Sequence, residues 1–385
     1  MSRTSTDDVG RPDLAILLPS YAGGGGERVA LFLARTLAAS GLRVDLVVAR
    51  AHGELRDEPL PGVNRVHLGA VTEILAAPAW LRYLKRARPR CAMSMIHTAN
   101  FSSGIGALFN AEVPVIVNLR IALRCDPEAQ WWFRSWFGFS PERFLYRRAA
   151  RVMGVSRGLA EEAAAIFGVP SNKVLSIPNP RRSREASLEI APEHEALFDK
   201  PVVLGVGRLA PQKDFRMLIR AFARIAAERD LNLVILGKGP DLDALKAEAK
   251  ELGVETRVFF PGFVGNPEAY MRRARVFALS SRNEGFPGAL IEALEAGAAI
   301  VSTDCPFGPR EILDEGRWGR LTAVGDAPAF AEALAEELAQ DDPGHEARRS
   351  ERAGWMKQYD PEAITQRYLE LIRAVIAESG DSSST

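Results

Sequence analysis

Short apolar runs that alternate with helical stretches limit this chain to one kind of architecture. Leu14 to Leu18 (LAILL) is a five-residue run with no polar face, as expected of a strand covered on both sides. It ends in PSYAGGGGER, a helical pattern follows from Glu27 to Ala39, and Val44 to Val48 gives the next strand. That is a β-α-β unit, the beginning of a doubly wound parallel sheet. Further strands are expected at Cys91 to Ile96, Val113 to Asn118, Arg151 to Ser156 and Val174 to Ile177. After Pro178 the periodicity fails, proline and charge accumulate, and a linker is expected over residues 181–200. A second series then starts with Pro201 to Gly207 and continues through Leu233 to Leu236, Val258 to Phe260, Val276 to Leu279 and Ala299 to Thr303. Beyond Asp326 the chain reads as helical to about Ala377, with a break at Pro361. A chain of 385 residues can bury two cores. The expected division is a frayed tail at 1–12, a first Rossmann-like domain at 13–180, a second at 201–360, a last helix at 361–378 and a frayed end at 379–385.

Three loops in this series carry chemistry. The first is SSRNEGFPGALIEALEAG, from Ser280 to Gly297, in which Glu284 and Glu292 flank a helix start. Backbone N–H groups at that start have no intrahelical partner and the helix dipole adds positive charge, so Gly285, Phe286 and their neighbours favour an anion. Two carboxylates beside an anion site suit a sugar nucleotide held by phosphate, sugar hydroxyls and ribose; a solvated helix with two surface glutamates is the alternative. The second is GRLAPQK, where Arg208 and Lys213 bracket a strand-to-helix turn and could hold a diphosphate. The third is the glycine run Gly23 to Gly26, which lets backbone approach a ligand at a helix start or simply turns the chain. It is neither G-x-G-x-x-G nor a Walker loop. His97 and Asn100 fall at a strand end, facing the expected crevice, and His97 could meet an acceptor or a sugar hydroxyl. Asp241 and Asp243 spell D-x-D but open a helix, so they read as caps rather than as metal ligands.

The formal net charge is zero, yet the halves differ. Residues 1–180 hold 22 Lys+Arg against 15 Asp+Glu, and residues 181–385 hold 27 against 34. The first half is therefore the one expected to meet an anionic surface or acceptor. Two of its stretches mix aromatic and basic residues. One is ILAAPAWLRYLKRARPR, with Trp80 and Tyr83 beside Arg82, Lys85 and Arg86; the other runs from Arg120 to Arg151 and contains Arg124, Trp131, Trp132 and Arg134. Both could lie against a membrane interface, and the first could equally be a domain helix with a solvated basic face. No nucleic-acid-binding fold accompanies them, so no nucleic-acid partner is expected. Three scattered cysteines (Cys91, Cys125, Cys305), with no signal-peptide pattern, point to a reducing cytoplasm.

Taken in order, the glycine loop, GRLAPQK, PGFVGNP, EGFPGALIEALEAG and GPREIL resemble retaining glycosyltransferases of family four. The resemblance spans essentially the whole chain and implies a GT-B fold: two Rossmann-like doubly wound parallel-sheet domains facing across a cleft, with a C-terminal helix crossing back to the first domain. It implies a retaining, metal-independent hexosyltransferase that uses a nucleotide-sugar donor, with UDP favoured and no cofactor. Arg208 and Lys213 would hold the diphosphate, Glu292 the ribose and Glu284 a hydroxyl of the donor sugar. Phe263 and Val264 would line the base, and Gly24, Gly25 and Gly26 would approach the phosphates. The implied acceptor is a glycan or a polyprenyl-linked sugar, at the inner face of the cytoplasmic membrane. An inactive nucleotide-sugar-binding homologue and an epimerase of the same fold stay open as alternatives. Many members of the family carry His-Gly where this chain has Leu119 and Arg120, which leaves the sugar-side role to His97 or Arg120.

Overall fold

The computed structural model describes residues 10–109, 112–122, 146–181, 189–340 and 344–381. In chain order the strands are β1 Leu14–Leu18, β2 Val44–Val48, β3 Val63–His67, β4 Cys91–Met95, β5 Val115–Leu119, β6 Arg151–Gly154, β7 Val174–Ser176, β8 Val202–Val206, β9 Asn232–Leu236, β10 Val258–Gly262, β11 Val276–Leu279, β12 Ala299–Thr303 and β13 Arg320–Thr322. The helices are α1 Gly25–Ala39, α2 Ala77–Ala87, α3 His97–Phe109, α4 Arg157–Phe167, α5 Phe215–Ala226, α6 Leu242–Glu251, α7 Pro267–Arg273, α8 Gly288–Ala296, α9 Pro309–Ile312, α10 Ala327–Ala339, α11 Gly344–Met356 and α12 Pro361–Asp381. The chain divides into two compact units, one made of residues up to Pro180 together with Pro361 onward, the other of Arg181–Asp360.

Each unit is built on one all-parallel sheet. Among the described residues the first has the order β3-β2-β1-β4-β5-β6-β7 and the second β10-β9-β8-β11-β12-β13. Central strands β1, β2, β4, β5, β8 and β9 are buried along nearly their whole length because helices cover both faces, which is why their sequences lack a polar alternation. The edge strands are different. β3 (VNRVH) and β13 (RLT) are half exposed and carry polar residues, and the apolar-run criterion passes over both. In both sheets the winding reverses beside the first strand of the unit, between β1 and β4 and again between β8 and β11. Loops at the C-terminal ends of these pairs flank the crevice where open α/β sheets bind ligands.

Helix α12 packs into the first unit. Ile364, Tyr368, Ile372 and Val375 join a core with Leu31, Leu33 and Leu37 of α1 and with β1 and β4. Polar contacts fix its register: Asn118 Nδ2 donates to Tyr368 Oη at 3.2 Å, Arg367 Nη2 to the Ser176 carbonyl at 2.7 Å, and Arg151 pairs with Glu378 at 2.5 Å. In the second unit the amphipathic α5 supplies Met217, Leu218, Phe222 and Ile225 to a core shared with α10. The described part of the expected linker packs with this unit as well. It forms a tight helical turn at Pro192–Phe198, where the Leu197 carbonyl accepts from Asn232 Nδ2 at 2.9 Å and His194 Nδ1 lies 2.7 Å from Tyr270 Oη.

Candidate active site

In the second unit the loop after β8 folds back over its own strand end. Where Gly207 sits, a side chain would press on Lys213 Cε, Cδ and Cγ at 3.3–3.5 Å, so the glycine makes room for the lysine stem. Lys213 Nζ then reaches Glu284 Oε1 at 2.5 Å, and Ser281 Oγ donates to the same oxygen at 2.7 Å. Glu284 is only 6% exposed. A buried carboxylate is tolerable because an ammonium and a hydroxyl both serve it. Two residues expected to act separately, Lys213 on phosphate and Glu284 on sugar, are here joined to each other.

The loops after β8 and β11 are joined by hydrogen bonds between residues 212–214 and residues 280–283. Ser280 Oγ donates to the Lys213 carbonyl at 2.7 Å, the Arg282 N–H to the Gln212 carbonyl at 2.8 Å, and Gln212 Nε2 to the Asn283 carbonyl at 2.9 Å. Asp214 sits at φ 45°, a left-handed conformation uncommon outside glycine, and there its carboxylate caps α5 through the Met217 N–H and accepts from Arg282 Nε at 2.8 Å. On the far side the Glu284 N–H donates to the Pro306 carbonyl at 2.6 Å and its carbonyl accepts from the Phe307 N–H at 2.8 Å. The EGFP turn is therefore held from both neighbouring strand ends before α8 begins.

Arg208 lies at the end of the same strand as Gly207, exposed to solvent, and Glu292 sits half-buried on the second turn of α8. Gly285 and Phe286 are buried. The Phe286 ring packs against Tyr359 with centroids 5.7 Å apart, so what this residue can offer a ligand is backbone rather than ring. Pro287 is the residue before the first helical one of α8. Gly308 is constrained for a similar reason: at φ 99° it lies where a Cβ would be 2.7 Å from Pro287 Cδ. Phe263 is 68% exposed and Val264 half-buried at the end of β10. Burial first, and the Glu284 charge second, push the nearby Cys305 thiol up to about 12. Asp241 makes no side-chain capping bond to α6, contrary to the reading of D-x-D as a cap pair. Among the described residues no group of three His, Cys, Asp or Glu side chains is gathered as for a metal ion.

In the first unit the glycine loop serves mostly the protein itself. A Cβ on Gly24 would lie 2.6 Å from Glu27 Oε2, one on Gly26 3.0 Å from Ile96 Cγ1 and 3.4 Å from Arg120 Cδ, while Gly25 faces open space. Gly25 and Gly26 already belong to α1, which starts two residues earlier than its periodicity indicates. A side chain at Gly24 or Gly26 would therefore crowd Glu27, Ile96 or Arg120, whereas one at Gly25 would meet nothing. Burial raises the Glu27 pKa, and the Glu73 charge adds to the shift, against its own backbone N–H, Arg120 and Arg28. Leu119 is buried at the end of β5. Arg120 turns inward, donating from Nη2 to Asn179 Oδ1 and bonding Tyr368, and burial lowers its pKa against the pull of Tyr368 and Glu27. His97 is the first residue of α3, nearly buried, and Asn100 lies one turn on, so both belong to the helix that follows the strand end.

The aromatic side of α2 does not face outward as a membrane-facing helix requires. Trp80 is fully buried and stacks on Tyr83 at 5.3 Å, and Tyr83 Oη donates to Asp45 Oδ2 at 2.6 Å, so these rings complete the core. What remains outside is cationic: Arg82, Lys85 and Arg86 are exposed. Arg124, Trp131, Trp132 and Arg134 lie outside the described residues. Among the described residues no helix is long and apolar enough to cross a membrane.

Sequence reasoning passed over Ser281, Asp214, Glu27 and Tyr368, whose roles are contacts made across the chain, and Lys238, which stands exposed between two glycines at the end of β9. For Lys238 a signal was present: LGKGP repeats the pattern of a glycine-flanked cation at a strand end seen in VGRL.

Comparison with known proteins agrees with this arrangement. Residues 24–180 match the family described as Glycosyl transferase 4-like domain, and residues 188–354 match Glycosyl transferases group 1. The N-acetylgalactosamine-N,N'-diacetylbacillosaminyl-diphospho-undecaprenol 4-alpha-N-acetylgalactosaminyltransferase of Campylobacter jejuni is 30% identical over 281 residues, 72% of this chain and 74% of its own length. The lipopolysaccharide core biosynthesis glycosyltransferase LpsE of Rhizobium meliloti is 34% identical over 176 residues, 45% of this chain and 50% of its own. Among solved structures, Anabaena HepE in complex with UDP and glucose superimposes with a TM-score of 0.77 at 19% identity, over 94% of this chain and 100% of that one, a likeness of fold. With both halves matched in order and a relative similar over most of its length, the chain belongs to the group 1 glycosyltransferases, with a 4-like N-terminal domain and the GT-B fold.

Proposed function

We propose that the chain transfers a hexose from a nucleotide-sugar donor, UDP-linked by preference, to a glycan or polyprenyl-linked acceptor, with retention at the anomeric carbon and without a metal. The observation that carries this reading is the Lys213–Glu284 pair, held at 2.5 Å beside the start of α8, with Arg208 exposed at the neighbouring strand end. As the sugar–phosphate bond breaks, negative charge builds on the leaving diphosphate, and Arg208, Lys213 and the α8 N-terminus would stabilise it in place. The acceptor oxygen would form its bond to the anomeric carbon on the face the diphosphate leaves, and its proton would pass to a diphosphate oxygen. Glu284 would exchange its bond with Lys213 for one with a donor-sugar hydroxyl, and Glu292 would take the ribose.

Support for the substrates comes from the relatives. The Campylobacter protein is named for a diphospho-undecaprenol-linked acceptor, the Rhizobium protein for lipopolysaccharide core biosynthesis, and the Anabaena structure contains UDP. A peripheral position at the inner face of the cytoplasmic membrane fits the exposed Arg82, Lys85 and Arg86, each able to meet a lipid phosphate. Thermal shift with UDP and UDP-sugars, with and without magnesium, tests donor binding, and turnover of Arg208→Ala tests chemistry. We expect stabilisation by UDP without magnesium and a loss of turnover of roughly 10²–10³. Full turnover in Arg208→Ala would remove the diphosphate assignment; release of free sugar without transfer to any acceptor would favour an epimerase.

A further inference from the structure

Lys238 has no role in the scheme above, yet its backbone is one of the most tightly placed in the second unit. The Leu209 N–H donates to its carbonyl at 3.0 Å, and the preceding Gly237 N–H donates to the Gly262 carbonyl at 2.8 Å. Both flanking residues must be glycine: a Cβ on Gly237 would stand 1.9 Å from the Gly207 carbonyl oxygen, and one on Gly239 2.1 Å from that of Leu209. The ends of β8, β9 and β10 are thereby pressed together with Lys238 between Arg208 and Gly262.

The side chain, by contrast, is exposed, and no described residue accepts from its ammonium. Its Cε lies over Gly262, 4.0 Å from where a Cβ would be, and is the one atom that near. The next residue is Phe263, whose side chain is 68% exposed. A rigidly based lysine whose stem lies over the residue preceding an exposed aromatic ring matches the two features of a nucleobase: a π-surface to stack and a polar edge to read.

We propose that Lys238 reads the base of the donor nucleotide, donating to an edge carbonyl oxygen while Phe263 stacks against the ring. This rests on the donor-site reading and makes it specific. An ammonium only donates, so it favours bases whose edge carries a carbonyl, uracil O4 or guanine O6, over cytosine and adenine, which present an amino group there. Lys238 then acts as a specificity residue, at a distance from the bond that breaks.

The test is calorimetric titration of the full chain with UDP, GDP, CDP, ADP and inorganic pyrophosphate, for wild type, Lys238→Met, Lys238→Glu and Phe263→Ala. Lys238 is solvent-exposed and unpaired among the described residues, so its variants are expected to fold. The expected result is a roughly tenfold loss of UDP or GDP affinity in Lys238→Met with CDP, ADP and pyrophosphate nearly unchanged. Lys238→Glu should shift preference toward the amino-bearing bases, and Phe263→Ala should weaken all four nucleotides alike and leave pyrophosphate alone. An equal loss for all nucleotides and for pyrophosphate in Lys238→Met would overturn the proposal and make Lys238 a phosphate cation; no loss at all would overturn it too. Wild-type protein that binds none of the five ligands would sink the donor site itself, an outcome distinct from either.

Discussion

Replacing Lys213 by Met separates its two duties, because the second mutation that repairs one cannot repair the other. In the folded protein Lys213 is 20% exposed and Glu284 8%, measured on the side chains, and their contact is 2.5 Å. Removing one partner of a buried pair costs about 3–5 kcal/mol when the other is left unserved. Here Ser281 still donates to the carboxylate and the lysine head retains some water, so about 2 kcal/mol is the better figure. For a unit of this size that corresponds to a fall in Tm of roughly 4–8 °C. Glu284→Gln removes the buried charge, so the double variant Lys213→Met, Glu284→Gln should recover to within about 1 kcal/mol of wild type, a coupling that a double-mutant cycle reads directly. Turnover should stay down by roughly 10²–10³ in both the single and the double variant, since one of the two cations proposed to face the leaving diphosphate is gone and only Arg208 remains. Thermal unfolding and initial rates on the four proteins of the cycle decide it. Additive stability effects, or a double variant that regains turnover along with stability, would refute the reasoning.

Two other outcomes follow from close contacts and burial. Gly237→Ala should destabilise by more than about 2 kcal/mol, read as a lowered Tm, because its Cβ would sit 1.9 Å from a backbone oxygen and φ is 142°. Glu27, whose pKa is raised by burial, binds a proton more readily folded than unfolded, so its contribution to stability declines as pH rises from its unfolded to its folded pKa. Glu27→Gln should therefore raise Tm at neutral pH and lose that advantage in acid; a pH-independent difference between the two proteins would contradict it.

Much of the candidate site could be read from the chain because its parts are local. A strand end, a glycine, a cation and a helix start fall within a few residues, as in GRLAPQK and EGFPGALIEALEAG, and their spacing survives folding. Which way the aromatic side of α2 faces was not legible for the opposite reason: periodicity shows that Trp80 and Tyr83 share a side with one another, and only Asp45, far away in sequence, shows that this side is the core. Likewise, the neighbours of the glycines at 24 and 26, namely Glu27, Ile96 and Arg120, come partly from other loops and are not legible in local spacing.

By itself the sequence determined the alternation of buried strands and helices, hence two parallel sheets, since a run apolar on both faces must be covered on both. It also determined which strand ends carry charge. The tertiary structure decided the rest: that β3 and β13 exist, because an edge strand covered on fewer sides need not be apolar; that Lys213 and Glu284, 71 residues apart, share one bond; and that Arg120 is tied to α12 through Tyr368. Pairing across loops depends on strand order and on the room that particular glycines leave, and neither quantity is encoded in local spacing.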